Sequence, residues 1–397
     1  MVNPVSIHDE KAWEDTLSSN ANRLRVAQLI SRADTIGGAQ RHVLELAEAL
    51  TERGHHLIVV TGPGQPFSEL LAKSGIEHHQ VSSLTTEFGP SSIRRDLASF
   101  RELDNLMKNF APDIICCHST KAGILGRVLA KKSGIANTYT LHGLTFSPGV
   151  RPLRRILGWG LEAAMRPFND QIIAVSEYDA ALAKRFKISR PDRMTAIRNS
   201  VIDSEDRAES STDSKVRLVM PARLDNQKDH ELLLRALAQV ESTDWHLQML
   251  GDGPLQASLE QLSATLGLQD RVSFLGLVPD VSPYLREADL LVLISHYEGL
   301  PLSILEGLRM GLPVVASDVG GVSEAVIDRV NGRLVAAGDQ EQLAVAFGEL
   351  FSSPETVGAM AIESRKLYER RFSFDGFVQA TEAVYLQAAG ASRGDSA

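Results

Sequence analysis

The sequence predicts an α/β protein built from two open, parallel-sheet domains in series. Three observations carry that expectation. Short β-branched or apolar runs alternate with longer segments of helical periodicity, the pattern of strands joined by crossover helices. The alternation stops in a polar, charged stretch, residues 203–215 (DSEDRAESSTDSK), and then resumes. The 397 residues also exceed the length at which one hydrophobic core usually stops growing.

In chain order, residues 1–24 form a polar leader without a packing pattern. A first domain, 25–202, is expected to place strands at 26–30, 57–61, 113–117, 137–141, 171–175 and 194–197, with helices between them. The helix expected at 39–50 shows why: Val43, Leu46, Ala47 and Leu50 recur at three- and four-residue spacing, the stripe of a helix packed on a sheet. The stretch 203–215 reads as a linker. A second domain, 216–373, has strand candidates at 216–220, 246–250, 272–274, 290–294 and 313–316. A helical segment at 374–390 can dock back on the first domain, and 391–397 is a tail. Open parallel sheets bind ligands at the carboxyl ends of their strands, and two such sheets facing each other share a central cleft.

Composition narrows the function. Hydrophobic residues make up 43% and charged residues 23%, the balance of a globular protein. A net charge of -9 argues against broad nucleic-acid binding. The first residues, MVNPVSIHDEKAWEDTLSSNANRLR, lack the apolar segment of a secretory signal, and no apolar run reaches the roughly 18 residues of a spanning helix. Cys116 and Cys117 adjoin each other in an apolar run, where strand neighbours point to opposite faces, so buried thiols in a reducing cytosol are expected.

The densest chemistry lies in SHYEGLPLSILEGLRMGLPVVASDVGG, where Glu298 and Glu306 sit beside apolar runs. A strand ends before Glu298, and Pro301 suits the first turn of a helix that carries Glu306. Backbone N–H groups around Gly299, Leu300 and Leu302 then lie at a helix N-terminus, a natural site for a diphosphate. Carboxylates beside it can accept hydrogen bonds from sugar hydroxyls, or one can serve the helix dipole and the other be an ordinary surface glutamate. Upstream, PARLDNQKDH sets Arg223 and Lys228 in the loop after a strand. Arg offers a planar fork and Lys a point charge for phosphate oxygens; two solvated loop cations are the bland reading. Gly251 and Gly253, in LGDGP, form a turn where backbone can approach a ligand. Gly37 and Gly38, between a strand and a helix, allow the same approach or simply a tight turn. His118 (in HSTKAG, with Lys121) and His142 (in TLHG) each end a strand of one sheet; a single histidine there reads as structural, a pair less so.

Asp-x-Asp, the Gly-Lys of a P-loop and the second histidine of a zinc helix are all lacking. No metal site and no cofactor is therefore expected.

Together these residues resemble the retaining, GT-B-fold glycosyltransferases of family 4 (glycosyl transferases group 1), over nearly the whole chain from Arg25 to Ala389. The most specific part is the glutamate, seven residues, glutamate signature of Glu298 and Glu306; IGGAQRHV, HSTKAG, TLHG, AVSEYD, RNSVID, ARLDNQKDH, GDGP and SDVGGVSE support it. Asn199-Ser200 departs from the family's asparagine-glycine. The resemblance implies two Rossmann-like domains and transfer from a nucleotide-sugar donor without a metal. It implies that Glu298 holds donor-sugar hydroxyls and Glu306 the ribose, and that Arg223 and Lys228 bind the diphosphate. Gly299 and Leu300 would add backbone contacts to phosphate, Gly38 would lie under the donor, and His142 would sit near the transferred sugar. His118 and Lys121 are acceptor-side candidates.

The acceptor is expected to be a glycan or lipid-linked, in surface polysaccharide, lipopolysaccharide or glycolipid synthesis from a UDP-sugar. Residues 148–200 carry an excess of five positive charges inside an acidic protein, and 150–168 (VRPLRRILGWGLEAAMRPF) mixes arginines with Leu, Ile and Trp. Such a segment can lie on an anionic bilayer from the cytoplasmic side, or pack on the sheet with a solvated basic face. Two other functions fit less closely: a sugar-nucleotide epimerase on a similar scaffold, and an inactive sugar-nucleotide-binding subunit.

Overall fold

The computed structural model describes residues 23–209, 215–240 and 244–394. Most of the expected leader, residues 210–214 of the expected linker and the end of the expected tail lie outside them.

Two sheets organise the chain. The first has seven strands, β1 (Arg25–Ile30), β2 (His56–Thr61), β3 (His78–Gln80), β4 (Ile114–Cys117), β5 (Ala136–Leu141), β6 (Gln171–Ala174) and β7 (Met194–Ala196), in the order β3-β2-β1-β4-β5-β6-β7. Between them run α1 (Gly38–Glu52), α2 (Pro66–Lys73), α3 (Ile93–Phe110), α4 (Thr120–Ser133), α5 (Pro152–Met165) and α6 (Glu177–Arg185). The second sheet has six strands, β8 (Val216–Pro221), β9 (Trp245–Leu250), β10 (Val272–Phe274), β11 (Leu290–Leu293), β12 (Val314–Ser317) and β13 (Gly332–Val335), in the order β10-β9-β8-β11-β12-β13. All five of its pairings are parallel. Its connecting helices are α7 (His230–Leu237), α8 (Gln256–Thr265), α9 (Ser282–Glu287), α10 (Leu302–Met310) and α11 (Gln340–Phe351), and α12 (Pro354–Arg371) and α13 (Phe374–Gly394) close the chain. Both sheets are doubly wound, so each reverses direction of growth beside its first strand.

Every strand expected from sequence is present, with ends moved by one residue at most. Two strands escaped the reading. β3 is the polar tripeptide HHQ, and β13 (GRLV) opens on a glycine. Both lie at sheet edges, where a strand needs one partner and little apolar surface. Central strands show the opposite: β11 (LLVL) and β12 (VVAS) are buried throughout because helices cover both faces. Leu302, Leu305 and Leu308 of α10 are buried against that sheet. Cys116 and Cys117 are free, buried thiols, pushed up to about 12 by desolvation.

By contacts the chain groups into two units. The first comprises Met1–Thr35, Leu46–Thr138 and Glu382–Ala397; the second comprises Ile36–Glu45 and Tyr139–Thr381, so the division falls within β5. In the first unit, Glu382 of α13 accepts from His55 Nε2 at 2.8 Å and from Arg53 Nη1 at 3.0 Å. In the second unit, residues 203–209 are held in place: Asp203 pairs with Arg365 at 2.7 Å, and the Ala208 and Glu209 N–H groups donate to Met310 and Arg286 carbonyls. Among the described residues, no helix is long and apolar enough to cross a membrane.

Candidate active site

The second sheet dictates where polar chemistry can collect. β8 and β11 are neighbours on either side of the point where strand order reverses, and the loops leaving their carboxyl ends diverge and open a crevice. The β8 loop carries Arg223 and Lys228; the β11 loop carries Glu298. Backbone bonds clamp the two together: Asp229 N–H donates to Ile294 O, and His296 N–H to Gln227 O, both at 2.9 Å. Lys228 Nζ thereby donates to Glu298 Oε1, while Gln227 Nε2 donates to Tyr297 O at 3.0 Å and reaches Oε2 of Glu298 at 3.4 Å. The pair is nearly dry, with side chains 14% and 7% exposed. Two charges removed from water persist only when each has its partner.

Arg223 stands apart from that pair. It is exposed, and its guanidinium lies 3.8 Å from Asp225. Gly251 and Gly253 support its loop: a Cβ at either would come within 2.2 Å of the Ala222 or Leu224 carbonyl oxygen, respectively. Close backbone packing is thus a sufficient reason for both glycines.

α10 begins immediately after Pro301. The N–H groups of Gly299 and Leu300 donate to no acceptor among the described residues and sit where the helix dipole favours an anion. Gly38, at the start of α1, has only the Leu302 side chain nearby, 3.8 Å from where its Cβ would be, so the space over this helix end stays open. Glu306, one turn on, is 9% exposed; burial pushes its carboxyl up, while Arg41 and Arg309 pull it back. Arg41 Nη1 lies 3.4 Å from Glu306 Oε1 and its Nη2 the same distance from Pro279 O.

A histidine pair sits nearby. His42 Nδ1 is 3.2 Å from Asn199 Oδ1, and Asn199 Nδ2 donates to Leu300 O at 2.8 Å. Because the amide nitrogen of Asn199 is committed to that carbonyl, its oxygen faces His42, which must donate from Nδ1. Burial lowers His42 to about 4, so it is neutral at physiological pH. Its ring meets the His142 ring edge to face, centroids 4.5 Å apart and planes at 86°.

Asp179 is the unexpected group. It caps α6 reciprocally with Ser176: Ser176 Oγ accepts from Asp179 N–H and donates to Asp179 Oδ2, each at 2.9 Å. Its Oδ1 is buried without a hydrogen-bond partner among the described residues, and a Cβ on Gly299 would stand 3.0 Å from Oδ2. Burial pushes the carboxyl up to about 7 from an ordinary 3.8; the Ser176 hydrogen bond opposes this, and Glu324 and Glu298 add to it. The folded protein therefore holds this proton more tightly than the unfolded chain, and its contribution to stability is lost as pH rises through about 7. Asp179→Asn keeps the shape without the charge. It is expected to gain stability relative to the parent as pH rises from about 4 to about 7, by about 4 kcal/mol over the whole window. Urea unfolding across that range checks this, and a pH-independent difference would overturn it.

The second unit thus holds Gly37, Gly38, His142, Arg223, Lys228, Gly251, Gly253, Glu298, Gly299, Leu300 and Glu306, whereas His118 and Lys121 belong to the first. In that unit Lys121 is 4% exposed and pairs with Asp96 at 2.7 Å, and His118 N–H donates to Leu29 O. Gln227, Arg41, His42 and Asp179 were not singled out from sequence, and Asn199 was noted only for the departure at Asn199-Ser200. Each occupies a motif that was read for another residue, and only Asp179 carried a local signal, the Ser-x-x-Asp cap.

Family models match both halves of the chain: glycosyltransferase family 4 over residues 36–205 and glycosyl transferases group 1 over residues 215–353. Among curated proteins, the chain is 27% identical to the lipopolysaccharide core biosynthesis glycosyltransferase LpsD of Rhizobium meliloti, covering 85% of this chain and 92% of that protein. It is 25% identical to the UDP-Gal:alpha-D-GlcNAc-diphosphoundecaprenol alpha-1,3-galactosyltransferase of Escherichia coli, covering 81% and 87%. Among solved structures, Anabaena HepE in complex with UDP-glucose superposes with a TM-score of 0.78 at 22% identity, covering 92% of this chain and all of that one. That likeness establishes the GT-B fold.

Proposed function

The chain belongs to the group 1 glycosyltransferases of family 4, and we propose that it moves a hexose or N-acetylhexosamine from a UDP-sugar to a glycan or lipid-linked acceptor, with retention of anomeric configuration. That it transfers sugar from a nucleotide sugar follows from the family; donor, acceptor and stereochemistry are the proposal. One observation carries the reading: the nearly dry Lys228–Glu298 pair, backed by Gln227, at the carboxyl ends of β8 and β11.

The diphosphate lies at the Gly299 and Leu300 N–H groups, with Lys228 and Arg223 as its cations. Glu298, released by Lys228, accepts from donor-sugar hydroxyls, and Glu306 accepts from the ribose. As the bond from the anomeric carbon to phosphate oxygen breaks, charge grows on that oxygen, and fixed donors there lower the barrier. The acceptor oxygen bonds to the anomeric carbon on the same face, and its proton leaves with the departing phosphate. Two side-chain cations and a helix N-terminus supply this stabilisation without a metal. His142, edge to face with neutral His42, serves the sugar as a hydrogen-bonding partner.

The acceptor reading is supported by the Escherichia coli relative, whose name specifies a diphosphoundecaprenol acceptor, and by α5. In α5, Leu153, Ile156 and Leu157 are 70%, 63% and 65% exposed. With Gly160 and Ala164, also exposed, they form one helical stripe at three- and four-residue spacing. The inward side instead buries Glu162, which accepts from Tyr139 OH at 3.2 Å. An outward apolar stripe bordered by Arg151 and Arg154 suits the cytoplasmic surface of an anionic bilayer.

Measuring nucleotide release from a panel of UDP- and GDP-sugars, with and without membrane extract, tests the proposal. UDP release stimulated by extract is expected. Binding without turnover would favour an inactive subunit, and interconversion of donor sugars without UDP release would favour an epimerase.

A further inference from the structure

The amino end of α6 packs on the loop that follows β11, and all the residues concerned belong to the second unit. Two glycines make the approach possible. A Cβ on Gly299 would stand 3.0 Å from Asp179 Oδ2, and one on Gly321 would stand 2.7 Å from the Ser176 Cβ. By ordinary bond lengths and angles a Cβ lies about 2.5 Å from its own nitrogen, which puts Asp179 Oδ2 within about 5.5 Å of the Gly299 nitrogen. That N–H is one of the two assigned above to the donor diphosphate. The Asp179 carboxyl is sealed from solvent, so it acts on a ligand through its charge and not by contact.

A negative charge at this place is poorly compensated. Oδ2 accepts from Ser176 Oγ at 2.9 Å, while Oδ1 is buried without a hydrogen-bond partner among the described residues. The charged groups that act on it from neighbouring elements are Glu298, in the β11 loop, and Glu324, in the 3₁₀ turn Val322–Glu324. Both are carboxylates, and the cations beside them are engaged: Lys228 donates to Glu298, and Arg198 Nε to Glu324 at 2.9 Å. On α6 itself, the Tyr178 N–H donates to Glu324 at 2.9 Å, and exposed Glu177 lies 3.5 Å from Arg198. Burial and the two like charges bring the titration of Asp179 to about 7, within the range in which enzymes commonly work.

We propose that Asp179 is a positioning residue for the donor: uncharged, it leaves the Gly299 and Leu300 N–H groups free to hold the diphosphate, and on losing its proton it opposes that anion. The inference rests on the diphosphate placement proposed above and adds a proton-linked control of it. Linkage fixes the sign. A bound diphosphate disfavours the carboxylate form, so binding takes up a proton at Asp179, and affinity for the donor falls as pH rises through about 7. A phosphate oxygen accepting from the Gly299 N–H lies at most about 8 Å from Oδ2. Coulomb repulsion at that distance, with an effective dielectric constant of about 20 and screening by salt, amounts to about tenfold in affinity.

The test is calorimetric titration of the full chain with UDP from about pH 5.5 to about pH 8.5, in the parent and in Asp179→Asn. Protonation of UDP affects both proteins alike, so the ratio of their Kd values isolates Asp179. The parent Kd divided by the variant Kd is expected to rise about tenfold across that range. A purely structural role for Asp179 would offset the ratio equally at every pH. Ser176→Ala removes the hydrogen bond that favours the charged form; in that background the midpoint of the pH dependence should move to higher pH. Thermal melting confirms that each variant is folded. A ratio that does not change with pH, or a midpoint that Ser176→Ala leaves in place, overturns the inference while the donor reading stands. A parent that binds no UDP at any pH overturns the donor reading, and this inference with it.

Discussion

Lys228→Ala is expected to lower sugar transfer by at least about tenfold while the protein stays folded, because it removes a fixed positive charge from the place proposed for the departing diphosphate. The structure adds a second route to the loss. Lys228 donates to Glu298 in a nearly dry contact, so truncation also strands a buried carboxylate, and breaking such a pair usually destabilises. The two routes separate in a cycle with Glu298→Gln. If Lys228 only positioned Glu298, the two single variants and the double would lose similar activity. If Lys228 also acts on the diphosphate, its loss exceeds that of Glu298→Gln and falls mainly on kcat. Thermal melting of each variant controls for folding, and unchanged turnover in Lys228→Ala would remove its assigned role.

Gly320→Ala should be as damaging, by about 10²-fold, although the residue carries no functional group. Gly320 has φ +58, and a Cβ there would lie 1.9 Å from the carbonyl oxygen of Glu298. Both atoms are backbone-anchored, so the new methyl must displace the Glu298 loop, and displacement of about 1 Å in a positioned group is enough for a loss of that order. The loop is also tied on its other side, since Gly321 N–H donates to Gly299 O at 2.9 Å. A loss of transfer of about 10²-fold in a variant that still folds, with a lowered melting temperature, is the expected combination, measured by nucleotide release and thermal melting of the purified variant; full activity would show that the loop position is not critical.

Much of the fold was legible because a doubly wound sheet writes itself into sequence. Central strands such as LLVL must be apolar on both faces, and helices such as α1 must carry a stripe at three- and four-residue spacing. Edge strands β3 and β13 were not legible, since HHQ and GRLV answer to a single neighbour each. The candidate site divides similarly. Glu298, Glu306, Arg223 and Lys228 were readable from two short motifs in loops next to strand ends. Gln227, Arg41, His42 and Asp179 were not, and Asn199 was noted only as part of a turn, because their relevance lies in partners such as Glu298, Glu306, His142 and Leu300 that local sequence does not display.

By itself, then, the sequence determined the fold class, the strands other than β3 and β13, and the loops that hold the candidate groups, since periodicity and glycine placement are local properties of a chain. Only the tertiary structure decided which of those groups meet and which way each face points. It turned the apolar stripe of α5 outward, where composition had allowed either orientation, and it left Arg223 exposed while burying Lys228 against Glu298. The reason is physical. Desolvation and Coulomb interaction depend on distances and burial in three dimensions, and residues far apart in the chain acquire those only after the strands have found their partners.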